Sequence, residues 1–283
     1  MEFVTFHVAL GSGDSVHPNQ TLKHKEYLSM IDMMFASARL FHPDAMTTIL
    51  TDRNSNFDDL SPKTAIARFD IDPSKLMLER ASVQLKHVLN GLDHHPMIVL
   101  DSDILINASL GPIFEQDFDI AVTWRKNEKM PINGGFLIIN NVRSETSKWF
   151  FNRFVSIYQE KYADEAAWFG DQLALRDMIN LSSDDLGKKQ VVNVDGCRVL
   201  LLPCDTYNFS PKNKYKEICS RLSEKVVLHF KGERKRLMPH FWKAWLKPSE
   251  SYFPWVRFDA WRERWWLLRQ ARNEQPVVRS GSK

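Results

Sequence analysis

Cysteine is scarce in this sequence and no long apolar run occurs, and each lack removes a class of protein. The three cysteines, Cys197, Cys204 and Cys219, are odd in number and show no Cys-x-x-Cys spacing. This argues against a disulfide framework or a zinc site and fits reduced thiols in a cytoplasmic protein. No segment approaches the roughly 18 apolar residues needed to span a bilayer. The stretch Met1 to Leu10 has no basic n-region and carries Glu2 and His7, so it is expected to be a first strand rather than a signal peptide.

What is present is enough for one large α/β domain or two small ones, at 283 residues and 43% apolar content. The formal charge of +3 hides an asymmetry. Residues 234–283 hold 12 Lys/Arg against 4 Asp/Glu, so this stretch is strongly cationic and the rest of the chain is acidic.

Phe3 to Leu10 is expected to be a strand ending in the turn Gly11-Ser-Gly13. A helix is expected over Thr21 to Phe41, its core stripe formed by Leu28, Ile31, Met34, Phe35, Ala38 and Leu40, with a stop at His42-Pro43-Asp44. Strands follow at Met46 to Leu50 and Ala65 to Phe69, then a helix from Pro73 to Leu89 closed by Asn90-Gly91. Phe118 to Trp124 is a further strand. A helix from Glu145 to Tyr162 has Trp149, Phe150, Phe154 and Ile157 as its core stripe. Another opens at Trp168-Phe-Gly-Asp171-Gln172 and runs to about Ile179, before a short strand, Val199 to Leu202, and a loop, Pro203 to Asn208. Alternating strands and helices predict an α/β fold with a largely parallel sheet.

Within this frame Met97-Ile-Val-Leu-Asp101-Ser-Asp103-Ile-Leu-Ile106 reads as a buried strand, parallel and covered on both faces, with carboxylates at its end. At a strand end these lie on the rim where open α/β sheets bind ligands. In an extended chain residues i and i+2 point the same way, so Asp101 and Asp103 can converge on one cation. Oxygen ligands suit Mg²⁺ or Mn²⁺, which in turn neutralise a diphosphate. The bland alternative is a pair of solvated aspartates at a strand end.

Met130-Pro-Ile-Asn133-Gly134-Gly135 opens a second buried strand, its glycines expected to let the backbone approach a ligand closely, with Asn133 presenting an amide nearby; the alternative is a glycine bulge before the strand. Asp171 lies in the first turn of a helix, which the helix dipole alone would favour. Val226-Val-Leu-His229-Phe-Lys-Gly232-Glu-Arg-Lys235 places a histidine at a strand end, with Gly-x-x-Lys behind it. Together these can supply a metal ligand, a turn and a phosphate cation.

The acidic triplet, the Asn-Gly-Gly strand, the Asp-Gln helix and His-x-x-Gly-x-x-Lys come in an order that resembles the GT-A glycosyltransferases. The set is most similar to the glycogenin and lipopolysaccharide galactosyltransferase group, glycosyltransferase family eight. The likeness spans roughly residues 1–235 and rests on four short motifs. It implies a Rossmann-like, mostly parallel mixed sheet flanked by helices. It implies a hexosyltransferase using a nucleotide-diphosphate sugar, a UDP-sugar foremost, and a glycan or lipid-linked saccharide acceptor, with retention of configuration. Asp101, Asp103 and His229 would hold Mn²⁺ (or Mg²⁺). Gly232 and Lys235 would cradle the diphosphate, with Ser102 and Gly134 among the donor contacts. Asn133, Asp171 and Gln172 would lie near the transferred sugar.

The departures are specific. Leu10-Gly-Ser-Gly-Asp14 stands where the family carries an acidic pair, leaving Asp14 as the substitute. The family's Tyr-x-x-Arg is absent, with Lys86 nearest the expected basic position and Arg80 the less favoured alternative. Asn-Gly-Gly replaces Asn-Ala-Gly.

Residues 236–272 are expected to form a basic, aromatic-rich helical extension and 273–283 a disordered tail. On a helical wheel Phe258, Trp261, Trp265 and Leu268 share a face edged by Arg257, Arg264, Arg262 and Arg269. That pattern suits an anionic membrane surface, which would make the protein peripheral at the inner face of a membrane; it also suits a helix packed on the catalytic domain. Two further readings are a sugar nucleotidyltransferase and a nucleic-acid binder using the tail. The first lacks its basic glycine-rich loop, and the acidic body and missing motifs speak against nucleic acid as a partner.

Overall fold

A computed structural model describes residues 1–10, 23–127, 129–165, 169–181, 190–211, 220–247 and Trp265. The first half of the chain alternates β1 (Glu2–Phe6), α1 (His24–Phe41), β2 (Met46–Asp52), β3 (Ala65–Phe69), α2 (Leu76–Gly91) and β4 (Met97–Leu100). The short β5 (Ile104–Ile106), α3 (Gly111–Phe114), β6 (Ile120–Trp124), β7 (Ile132–Ile139), α4 (Ser144–Lys161) and α5 (Gly170–Ile179) follow. The chain continues through β8 (Val191–Val194), β9 (Cys197–Pro203), α6 (Cys204–Tyr207), β10 (Val227–His229), a 3-10 turn (Gly232–Leu237) and α7 (Met238–Phe241).

Eight strands form one mixed sheet in the order β3-β2-β1-β4-β7-β6-β9-β8, and β5 pairs with β10 in a separate small sheet. β3, β2, β1 and β4 are mutually parallel, and β7 runs against both β4 and β6. Strand alternation feeds two cores. Phe3, Ile49, Ile98, Leu100 and Ile138 pack toward α1 and the small sheet; Val4, Leu50, Val99, Leu137 and Ile139 pack toward α2, α4 and α5. Both faces are covered, which is why these strands read as continuous apolar runs.

Three local expectations need correction. The apolar run at residues 97–106 is two strands, because the chain turns at Ser102 and Asp103 and hands Ile104 to β10. The two flanks are equally apolar because both are fully buried, one in each sheet. Leu40 and Trp149 lie off their helices' buried faces, at 37% and 39% exposure. Residues 203–208 are not wholly loop: Cys204–Tyr207 form a helical turn. β8, an edge strand, had no expectation at all.

The segment after Lys235 begins packed into the domain core. Met238, Phe241 and Leu246 are buried in the α1-side core, with Trp242 and Trp245 packed against it. The membrane-surface expectation falls on residues outside those described, apart from Trp265. No helix among the described residues is long and apolar enough to cross a membrane.

The opposite end of β1 from the candidate site carries a buried charge. Glu2 sits between His87 and His95, each 3.0 Å away, and accepts a hydrogen bond from the Thr48 hydroxyl. Burial pushes the carboxyl up, but the bonds from His87, Thr48 and His95 outweigh it and bring it to about 2 from 4.5. A folded value below the unfolded one means stability that is full above about pH 4.5 and lost as pH falls toward 2. Glu2→Gln should therefore lower stability at neutral pH and close that gap at low pH. Urea unfolding at pH 7 and pH 3 measures it, and an equal gap at both would reject the assignment.

Candidate active site

The C-terminal edge of the parallel strands carries the polar residues. β1 lies between β2 and β4, so strand order reverses there, the usual place for a ligand in an open α/β sheet. Asp101 leaves the end of β4, its N–H donating to the Gly135 carbonyl at 2.9 Å. In the small sheet His229 pairs with Ile104, and the Phe230 N–H bonds the Asp103 carbonyl at 2.8 Å, which sets His229 beside Asp103.

His229 Nε2 lies 3.0 Å from Asp103 Oδ1 and 3.5 Å from Asp101 Oδ2. The other carboxylate oxygens are held by cations: Arg80 takes Asp101 Oδ1 at 2.8 Å, and Lys235 takes Asp103 Oδ2 at 3.0 Å. Each aspartate thus splits its oxygens, one to a fixed cation and one toward the histidine. The three ligand atoms lie within 4.8 Å of one another. Two carboxylates and an imidazole of this spacing fit a divalent ion such as Mn²⁺.

Burial alone would push the Asp103 carboxyl up, but His229 and Lys235 outweigh it and hold it well below the carboxylate range. The Lys235 ammonium is disfavoured by burial yet raised by Asp103. Gly232 adopts φ +59, a left-handed conformation that glycine takes without strain, at the start of the 3-10 turn that carries Lys235.

Next to this group lies a second carboxylate. Arg80 reaches from Asp101 to Asp171 Oδ2 at 3.4 Å and to the Gly134 carbonyl at 3.3 Å. Burial pushes the Asp171 carboxyl up, with Arg80 opposing it and Asp101 reinforcing it. Gln172 follows, its amide oxygen 3.5 Å from Arg125 Nη2.

The glycines of β7 explain how these groups come so close. The β6–β7 register jumps from Val122↔Leu137 to Thr123↔Asn133, so Gly134, Gly135 and Phe136 bulge from β6 while Phe136 stays paired with Leu100 of β4. A Cβ on Gly135 would lie 2.5 Å from His229 Cε1 and 2.6 Å from Asp101 Oδ2, and one on Gly134 2.8 Å from Asp171 Oδ2. The close approach expected of the glycines is to the site's own side chains.

No protein-family model matches the chain, and no curated protein matches it in sequence. Solved structures do match. The galactosyltransferase LgtC, solved with donor and acceptor sugar analogs, aligns at TM-score 0.52 and 13% identity, over 93% of this chain and 100% of that one. The bifunctional glycosyltransferase WbbM aligns at 0.51 and 12% identity, over 92% of this chain and 51% of that one. Apo GlyE of Streptococcus pneumoniae TIGR4 aligns at 0.50 and 13%, over 95% and 63%. The chain has the GT-A fold.

On this GT-A frame the structure gathers Asp101, Ser102, Asp103, Asn133, Gly134, Asp171, Gln172, His229, Gly232 and Lys235 around one rim. Asp14 lies outside the described residues. Lys86 is a correction: it is exposed and its charge acts on Asp70, while Arg80 supplies the site's guanidinium. The buried residues of α2 include Ala81, Val83, Gln84 and Val88. At 3.6 residues per turn Arg80 falls on their side of the helix and Lys86 on the opposite one, a phase readable from sequence.

Three other residues carried no expectation. Lys231 has its charge disfavoured by burial while Asp101 and Asp103 act to retain it. Arg125 reaches the site beside Gln172. Asn208, 2% exposed, contacts the His229 ring. A single asparagine in a supposed loop has no spacing to mark it.

Proposed function

We propose that the protein is a glycosyltransferase that moves a hexose from a nucleotide-diphosphate sugar, UDP-linked, to a saccharide or glycolipid acceptor, with retention and with Mn²⁺ or Mg²⁺ as cofactor. The observation that carries this reading is the split of Asp101 and Asp103, each keeping one oxygen toward His229 and the other on Arg80 or Lys235. The GT-A fold supports it.

Breaking a sugar–diphosphate bond leaves negative charge on the departing phosphate and positive character at the sugar carbon. A bound divalent ion would neutralise the first of these. Lys235, already fixed on Asp103, adds a cation preorganised at the same place, where it costs no reorganisation during reaction. Asp171, buried beside Gly134, offers a carboxylate to the developing positive centre, with Arg80 opposing the effect of burial on it. Gln172 and Asn133 offer amides for orientation. The Asn133 oxygen is committed to the Gly135 N–H and to Asn208, so its NH₂ group is the part left for a sugar hydroxyl.

Calorimetric titration of UDP and of GDP, with Mn²⁺ and then with EDTA, tests the reading. Metal-dependent UDP binding is the expected result. GDP binding alone would move the donor to a GDP-sugar, and binding of neither would reject the proposal. The anomeric configuration of the product, read by NMR, decides retention.

A further inference from the structure

We infer that Asn208 is a positioning residue that fixes the His229 ring for metal binding, as the last link of a buried polar chain anchored on the backbone of β7. The inference rests on the metal reading of Asp101, Asp103 and His229.

Asn208 follows α6 with its side chain between β6, β7 and β10. Its amide nitrogen lies 2.8 Å from Asn133 Oδ1 and 2.8 Å from Thr123 Oγ1, and its amide oxygen 2.8 Å from His229 Nδ1. Which end of an amide is oxygen must be argued from its neighbours. Here two backbone groups decide. The Gly135 N–H donates to Asn133 Oδ1 at 3.1 Å, so that atom is an oxygen and needs donors. The Thr123 hydroxyl donates to the Asn133 carbonyl at 2.9 Å, so it presents a lone pair to Asn208. Both neighbours accept; only the NH₂ end of Asn208 can face them.

The oxygen of Asn208 is therefore turned to His229, and an oxygen there requires a proton on Nδ1. A neutral ring protonated at Nδ1 has its lone pair on Nε2, the atom directed at Asp101 and Asp103. A ligating histidine whose other nitrogen donates to a fixed acceptor is held in both tautomer and orientation. The same histidine has its backbone pinned: its N–H donates to the Phe209 carbonyl at 2.8 Å, and its carbonyl accepts from the Ser210 hydroxyl at 2.8 Å. Phe209 and Ser210 adjoin Asn208, so one short segment sets both the strand and the ring.

The test uses the full chain. In the Cd²⁺-loaded protein, a diamagnetic probe, ¹⁵N long-range correlation spectra should show His229 protonated at Nδ1 and ligated through Nε2. Ligation through Nδ1 would overturn the inference without any variant. Mn²⁺ affinity, read by electron paramagnetic resonance, should fall about 10–100-fold in Asn208→Ala. It should fall less in Thr123→Val, which keeps Asn208 but removes one of its two anchors. Unchanged affinity in a folded Asn208→Ala would overturn the inference and leave the metal reading standing. Absence of Mn²⁺ binding in the unmodified protein would overturn both.

Discussion

Asp103→Ala should lower metal-dependent turnover about a thousandfold, corresponding to roughly 4 kcal/mol of lost transition-state stabilisation. The carboxylate serves two neighbours at once. Its Oδ1 faces His229 Nε2 at 3.0 Å, and its Oδ2 fixes Lys235 at 3.0 Å. Removal deletes one of the three proposed metal ligands and also frees the lysine proposed to meet the departing diphosphate. Asp103→Asn keeps the shape and loses the charge, so it should fail nearly as badly. The check is the rate with Mn²⁺ and with EDTA, beside a circular dichroism spectrum to confirm folding. A metal-dependent rate within tenfold of the unsubstituted protein would sink the site assignment. Asp70→Ala makes a control, since Asp70 sits on the surface against Arg53.

The site is legible in the sequence where chemistry coincides with a change of pattern. Asp101 and Asp103 interrupt an apolar run, Gly134 and Gly135 open one, and His229 ends one. Each break marks a place where a buried strand meets the rim. The readings fail where the deciding quantity is a partner rather than a pattern. Nothing in the residues around Ser102 says that Ile104 leaves the main sheet for β10, because burial in either sheet asks for the same apolar side chains. Asn208 gains its role only from Thr123, Asn133 and His229, residues 85, 75 and 21 positions away. Arg80 is the intermediate case: proximity in sequence to an expected motif favoured Lys86, whereas helix phase favours Arg80. Phase decides: Arg80 lies on the buried side of α2, where it meets Asp101 and Asp171, and Lys86 lies on the exposed side.

Arg80→Met should cost about 3–5 kcal/mol of stability, the penalty for stranding buried charge when one partner of an ion pair is removed. The guanidinium joins Asp101, Asp171 and the Gly134 carbonyl, and the Asp171 side chain is only 7% exposed. Without Arg80, the carboxyl of Asp171 has burial and Asp101 both pushing it up and no guanidinium opposing them. A folded value above the unfolded one means that the native state binds more protons, so the variant should regain stability as pH falls from neutral. The unsubstituted protein should not show that gain to the same degree. Asp171→Asn removes the stranded charge, so Arg80→Met with Asp171→Asn should recover part of the loss, the signature of coupling between contacting residues. Urea unfolding of the four proteins at pH 7 and pH 5 closes the cycle. If Arg80→Met stays within 1 kcal/mol of the unsubstituted protein, Arg80 behaves as an exposed ion pair, and the buried bridge between Asp101 and Asp171 is not what holds this rim together.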